Sequence, residues 1–229
     1  MSAKIKNRHE RQLTQRKQRP IRQRFLIVCE GKQTEPNYFK ALTKGIESIH
    51  CEIRGKGKNT KSLVKEAITL KANNDFDKIW VVFDKDAFTN NDFNGAIAEA
   101  ERNDIECAWS NAAFELWFLY HFENVTAHLS RNAYQKKLSD AVNKSGKYNK
   151  KSKYQYDKTD TENFSIMTSY GSQENAIKWA ENQSKKFSDD NYANHNPCTM
   201  VFKLVKQIIG QDKKFNKEID CIVEGSKRK

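Results

Sequence analysis

The sequence predicts an α/β fold, a mostly parallel sheet flanked by helices over residues 25–122, followed by a helical region over 123–229. Three observations carry this reading. Short apolar runs at 25–29, 49–54, 79–83 and 105–109 are separated by stretches whose apolar residues recur at helical spacing. Two of the runs, Phe25–Cys29 and Ile79–Phe83, are continuously apolar, as strands buried on both faces are in a parallel sheet. Beyond residue 111 the alternation stops and only helical patterns follow.

The first run is entered from Arg24 and left at Glu30-Gly31. Thr34, Glu35 and Pro36 then give a helix start, with Thr34 as the expected cap, and Tyr38, Phe39 and Leu42 recur at helical spacing up to Gly45. A weaker strand at Ile49–Arg54 leads into a Gly/Lys loop, Gly55–Asn59. Thr60 opens a helix with Leu63, Val64, Ala67, Ile68 and Leu70 on its apolar side. The next strand ends in Asp84-Lys85-Asp86, and a helix from about Asp92 to Asn103 is carried by Phe93, Ile97 and Ala100. A short strand, Ile105–Trp109, closes the alternation, and its brief connections imply right-handed crossovers. In the second half, Ala113–Phe122 reads as a dense aromatic helix, and Arg131–Val142, Ser172–Phe187 and Thr199–Gly210 as amphipathic ones.

At 229 residues the chain makes one domain or two small ones. Its net charge of +12 points to a polyanionic partner, most often nucleic acid. The charge is uneven. Residues 1–24 hold nine Lys or Arg and one acid, Glu10, for a net +8, and have few apolar residues to bury. They are expected to form a basic flexible arm whose Arg8, Arg11, Arg16, Lys17 and Arg19 contact phosphates, with a solvated tail as the plainer reading. A second basic stretch, Asn143–Lys158, interleaves lysines (Lys150, Lys151 and Lys153 among them) with Tyr148, Tyr154 and Tyr156. Such a pattern suits phosphate contact and base stacking, and equally a polar surface loop.

Several classes are excluded. No apolar run approaches the roughly 18 residues of a membrane span, and the basic N-terminus has no apolar segment behind it to read as a secretory signal. The five cysteines (Cys29, Cys51, Cys107, Cys198, Cys221) form no CxxC pair, the usage of reduced cytosolic thiols, so a cytoplasmic protein is expected. No GxxxxGK[ST] string is present, so ATP chemistry would have to come from a partner.

The candidate chemistry lies at the carboxyl ends of the predicted strands, where open parallel sheets bind ligands. Glu30 follows the first strand, Asp84 and Asp86 end the third, and Glu115 opens the aromatic helix. The spacing of Asp84 and Asp86 puts both on one side of an extended chain. Four carboxylates converging in a protein this basic make sense around a hard divalent cation, Mg²⁺ or Mn²⁺. Each acid also has a plain reading as turn or cap chemistry. Glu35 is better read as a first-turn acid favoured by the helix dipole, and His121 as a packed core histidine.

Glu30-Gly31 after one strand and Asp84-x-Asp86 after a later one resemble the Toprim module of topoisomerases, primases and OLD-type nucleases. The longer strings Ile27–Phe39 (IVCEGKQTEPNYF), Val81–Phe88 (VVFDKDAF), Ser110–Phe122 (SNAAFELWFLYHF) and Asn196–Val205 (NPCTMVFKLV) resemble the RloB family, also called RloB/AbiLii-like, over about residues 20–210. The resemblance implies a Toprim-type nuclease of a bacterial or archaeal abortive-infection-like defence system, encoded beside an AAA- or ABC-type ATPase. It implies Glu30 as general base or metal ligand, Asp84 and Asp86 as the metal pair, and Glu115 as a further site acid. The chain departs from the family pattern at Lys32, where relatives carry an acid, at Lys85, where they carry Arg, and at Ala112, where they carry Pro. Lysine makes a weaker claim than arginine to a bidentate phosphate contact, so Lys85 is a phosphate candidate of the lesser kind. Two other readings stand beside the nuclease: a non-cleaving nucleic-acid-binding or trigger-sensing subunit, and a nucleotidyl or phosphoryl transferase.

Overall fold

The structure, a computed structural model, describes residues 23–55, 60–86, 88–148 and 152–227. Four parallel strands, β1 (Gln23–Cys29), β2 (Ile49–Gly55), β3 (Lys78–Asp84) and β4 (Glu106–Asn111), form the sheet predicted. Between them run α1 (Thr34–Thr43), α2 (Thr60–Asn73) and α3 (Asn90–Arg102). The second half supplies α4 (Glu115–Leu119), α5 (Arg131–Lys144), α6 (Asn163–Tyr170), α7 (Gln173–Ser184), α8 (Val201–Ile208) and α9 (Lys213–Lys227). A two-residue strand, β5 (Cys198–Thr199), pairs antiparallel with the end of β4, so the sheet order is β2-β1-β3-β4-β5.

The continuously apolar strands explain the layering. Alternate residues face opposite ways, so Phe25, Ile27, Trp80 and Val82 enter one core and Leu26, Val28, Val81 and Phe83 the other. The second core is filled by α2 and α3 through Leu63, Val64, Phe93 and Ile97. The first takes α1 and also residues from α4 to α9, so the helical half packs against the sheet through one continuous core. Tyr38 and Phe39 of α1 meet Phe114 there edge to face, with centroids 5.7 and 6.1 Å apart, and Tyr38 meets Phe118 tilted at 5.6 Å.

Several expectations are corrected. Thr34 is the first helical residue, not the cap: its hydroxyl donates to the Lys158 carbonyl at 2.8 Å. The aromatic stretch 113–122 holds only a five-residue α-helix, continued by tight turns through Phe122. The structure adds three elements, β5, α6 and α9, of which β5 has two residues and carries no period. Tyr154 and Tyr156 are buried core residues that present no face to bases, and half-buried Tyr148 packs on Tyr154 and Tyr170. Among the described residues no helix is long and apolar enough to cross a membrane.

His121 is a packed core residue, as expected, 2% exposed with Nδ1 3.1 Å from the Trp117 carbonyl. Burial lowers its pKa to about 4, from the usual value near 6.5. Below pH 6.5 the unfolded chain takes up a proton that the folded chain refuses, so this residue costs stability progressively from pH 6.5 down to 4. The full loss is about 3 kcal/mol. Urea unfolding at pH 7 and pH 5 is expected to show about 2 kcal/mol of that loss in the wild type and a smaller one in His121→Gln.

Candidate active site

Chain direction decides where a site can form. From β1 the chain crosses to β2 on one side, and from β3 to β4 on the other, so the neighbours β1 and β3 diverge at their carboxyl ends. That is the switch point at which open α/β sheets form a crevice. Glu30 is the first residue after β1, its N–H still in the ladder to the Val82 carbonyl at 2.8 Å. Its Oε2 accepts from the Asp84 N–H at 3.2 Å, so one backbone amide ties the two strand ends together. Asp84 closes β3, 7% exposed, and accepts from the Phe114 N–H. Glu115 opens α4, 3% exposed, and its Oε1 accepts from the Tyr156 hydroxyl at 3.3 Å.

Glu35 joins them. It is buried, and its carboxylate folds back over Gly31 so closely that a Cβ there would stand 2.1 Å from Oε2. A side chain at Gly31 would therefore displace this carboxylate. Gly55, at the end of β2, is required by the backbone: a Cβ there would lie 2.7 Å from the Gly31 carbonyl oxygen. Asp86 is exposed and its φ is +36°, so the chain turns rather than running extended and the alternation argument fails for the pair. What joins Asp84 to Asp86 is Arg131, the first residue of α5. Its Nη1 donates to Asp86 Oδ2 at 2.9 Å and its Nη2 stands 3.9 Å from Asp84 Oδ2.

A 160 Å³ cleft results, with buried Glu35, Asp84 and Glu115 in its wall and exposed Lys32, Arg131 and Lys158 at its margin. Glu30 and Asp86 stand beside it. Burial raises the Glu30 pKa to about 7; the Asp84 N–H opposes the shift, and Glu35 and Asp86 add to it. Burial likewise raises Asp84, with Glu35 and Glu115 adding, and raises Glu35, with Glu115 adding. Arg131 would be lowered by its partial burial, but Asp86, Asp84 and Glu115 hold it above the usual value. Larger hollows of 270 and 540 Å³ lie elsewhere, the first at the start of β4. Neither gathers buried acids under a cationic margin, so chemistry rather than size marks the site.

A sequence model of the RloB-like proteins matches residues 25–208. The chain belongs to the RloB-like family. No curated protein and no solved structure matches it. The family match contains all five acids and Arg131 and stops before α9.

In this RloB-like chain the four predicted acids Glu30, Asp84, Asp86 and Glu115 meet at one sheet edge. Among the described residues no three Asp, Glu, His or Cys side chains stand ready to hold a metal, and Arg131 lies between the two aspartates. The donor set nevertheless suits a hard divalent cation: it is all oxygen, and burial, with neighbouring carboxylates adding, raises Glu30, Asp84 and Glu35. Lys85 is half-buried, and its Nζ donates to the Phe88 carbonyl within its own turn instead of lining the cleft. Lys153 is exposed. Arg8, Arg11, Arg16, Lys17, Arg19, Lys150 and Lys151 lie outside the described residues. The basic segment joins the fold at Gln23, the start of β1, whereas the acids stand beyond its end. A seven-residue strand spans about 20 Å, so the segment is attached at the far end of the sheet from the cleft.

Glu35, Arg131, Tyr156 and Lys158 are the site residues the sequence reading did not assign. Glu35 had a signal, its glycine four residues earlier. Arg131 had none, since its place depends on how α5 packs against α4 and α6.

Proposed function

We propose that this RloB-like protein is a metal-dependent phosphodiesterase of the Toprim type, cleaving nucleic acid as an effector of an abortive-infection-like defence system with a partner ATPase. The single observation that carries the reading is the cleft at the β1/β3 switch point, acidic in its wall and cationic at its margin. A phosphodiester needs that division: acids for a cation, cations for the phosphate oxygens. Asp84 and Asp86 would hold Mg²⁺ or Mn²⁺ with Glu30 beside them, and the bound ion would supply a Lewis acid at the phosphoryl group and an acidified water.

The chain's own residues do the rest. Burial raises Glu30 to about 7 in the metal-free protein, and in this reading its carboxylate takes a proton from an attacking water. Lys32, Arg131 and Lys158 face the phosphate, and Tyr156 fixes one oxygen of Glu115. Exposed Lys144, Lys147 and Lys153 continue the cationic surface along the loop that Thr34 pins to α1. The basic segment before Gln23, attached at the other end of the sheet, adds affinity at a distance.

The second reading, a sensor that binds without cutting, is favoured by the one feature just described at the aspartates, the absence of a ready metal cage among the described residues. Cleavage of plasmid DNA, single-stranded DNA and total tRNA, in Mg²⁺, Mn²⁺ or EDTA and with or without the neighbouring ATPase, separates the two. The nuclease reading expects metal-dependent cutting that Glu30→Ala/Asp84→Ala abolishes. Intact nucleic-acid binding with no cutting under any of these conditions establishes the sensor instead.

A further inference from the structure

We infer that Arg131 is an exchangeable counter-cation: it neutralises Asp84 and Asp86 in the metal-free protein, and a divalent ion displaces it to the cleft margin, where it holds a substrate phosphate. The inference rests on the metal-site reading given above.

Four observations carry it. Among the described residues, the salt bridges that Asp84 and Asp86 make are both with Arg131. A guanidinium and a divalent ion compete for the same carboxylate oxygens and repel each other, so the two cannot occupy the place together. The contact is loose in a telling way. It is short to exposed Asp86, 2.9 Å, long to buried Asp84, 3.9 Å, and the arginine side chain is 45% exposed. A tightly held arginine–carboxylate pair is frequently bidentate, and this one is not.

The pivot, by contrast, is fixed. Arg131 follows the cap Ser130, whose Oγ accepts from the Ala133 N–H, and α5 is anchored by buried Tyr134, Leu138 and Val142. The backbone stays while the side chain can turn. Arg131 already lines the cleft with Lys32 and Lys158, so release from the aspartates leaves its guanidinium free to face a substrate there. Three cations there suit phosphate oxygens, and the arginine fork supplies two parallel donors where a lysine supplies a point charge.

The test reads metal binding directly, without turnover. Mn²⁺ is titrated calorimetrically into wild type, Arg131→Ala, Arg131→Gln and Lys158→Ala, with a thermal melt of each in EDTA to establish folding. Both Arg131 variants are expected to bind Mn²⁺ at least fivefold more tightly than wild type, and Lys158→Ala within twofold of it. In saturating Mg²⁺, Arg131→Ala is expected to bind inorganic phosphate at least fivefold more weakly than wild type. Unchanged or weaker Mn²⁺ binding in both Arg131 variants overturns the exchange, as does an equal gain in Lys158→Ala, which would make the effect a general field. Unchanged phosphate binding overturns the second half. If neither wild type nor any variant binds Mn²⁺, the metal-site reading itself has failed, an outcome distinct from a wild type that binds and Arg131 variants that do not gain.

Discussion

Asp84→Asn is expected to abolish metal-dependent cleavage and at the same time to raise the melting temperature of the metal-free protein. Asp84 is 7% exposed beside two other buried acids, Glu35 and Glu115, and Arg131 reaches it only at 3.9 Å. Its charge is therefore unfavourable to the fold and useful only to a bound cation. Removing the charge keeps an oxygen to accept the Phe114 N–H and relieves the repulsion. The gain is expected at roughly 1–2 kcal/mol, or about 2–8 °C for a chain of this size. The loss of cleavage is expected to be on the order of 1000-fold, the scale of removing a preorganised charge-stabilising group. Melting curves with and without Mn²⁺ check both halves: wild type gains stability on adding the ion, and Asp84→Asn gains less from a higher start. A variant that melts lower than wild type in EDTA would show that Asp84 is held for structure, as a strand-end cap and nothing more.

The second large effect is expected at Gly55→Ala, which lies on β2 and touches no acid. An added methyl would meet the Gly31 carbonyl oxygen and Pro36 Cγ at 2.7 Å and Lys32 Cα at 3.0 Å. Two of these are backbone atoms of the turn that carries Glu30 into α1, so the turn must move. Overpacking of this kind costs about 1–3 kcal/mol. Because the turn also sets where Glu30 and Glu35 stand, cleavage is expected to fall with stability, whereas in Asp84→Asn the two move apart. Gly31→Ala makes the milder comparison. Its methyl would meet only the end of the Glu35 side chain, which can swing away. Urea unfolding of the two variants is expected to show the larger loss at Gly55. Equal stability of Gly55→Ala and wild type would mean that the turn is looser than these contacts require.

The pattern of the strands was legible in the sequence because it is a local property. Phe25–Cys29 and Ile79–Phe83 are apolar at every position, and only a strand covered on both faces needs that. The four acids were legible for a related reason. Glu30, Asp84, Asp86 and Glu115 sit at element boundaries, and boundaries of a parallel sheet fall at one edge. The aromatic residues of 143–158 were misjudged because exposure is not a local property. Lysines flank Tyr154 and Tyr156, but the tyrosines turn inward to Asn163 and Glu115. Asp86 was placed correctly on incorrect geometry, since its φ of +36° cannot be read from DxD.

The sequence by itself determined the layered α/β architecture, the alternation of cores on the two sheet faces, and the identity of four carboxylates at one edge. Those follow from hydrophobic period and strand direction, which neighbouring residues encode. Only the tertiary structure decided that Glu35 is buried against Gly31, that Arg131 stands between two aspartates 45 and 47 residues away, and that Lys158 is pinned over α1. It also decided that the basic N-terminal segment joins at the far end of the sheet. These depend on which helix packs beside which strand end, a matter of shape complementarity among distant side chains that no window of sequence records.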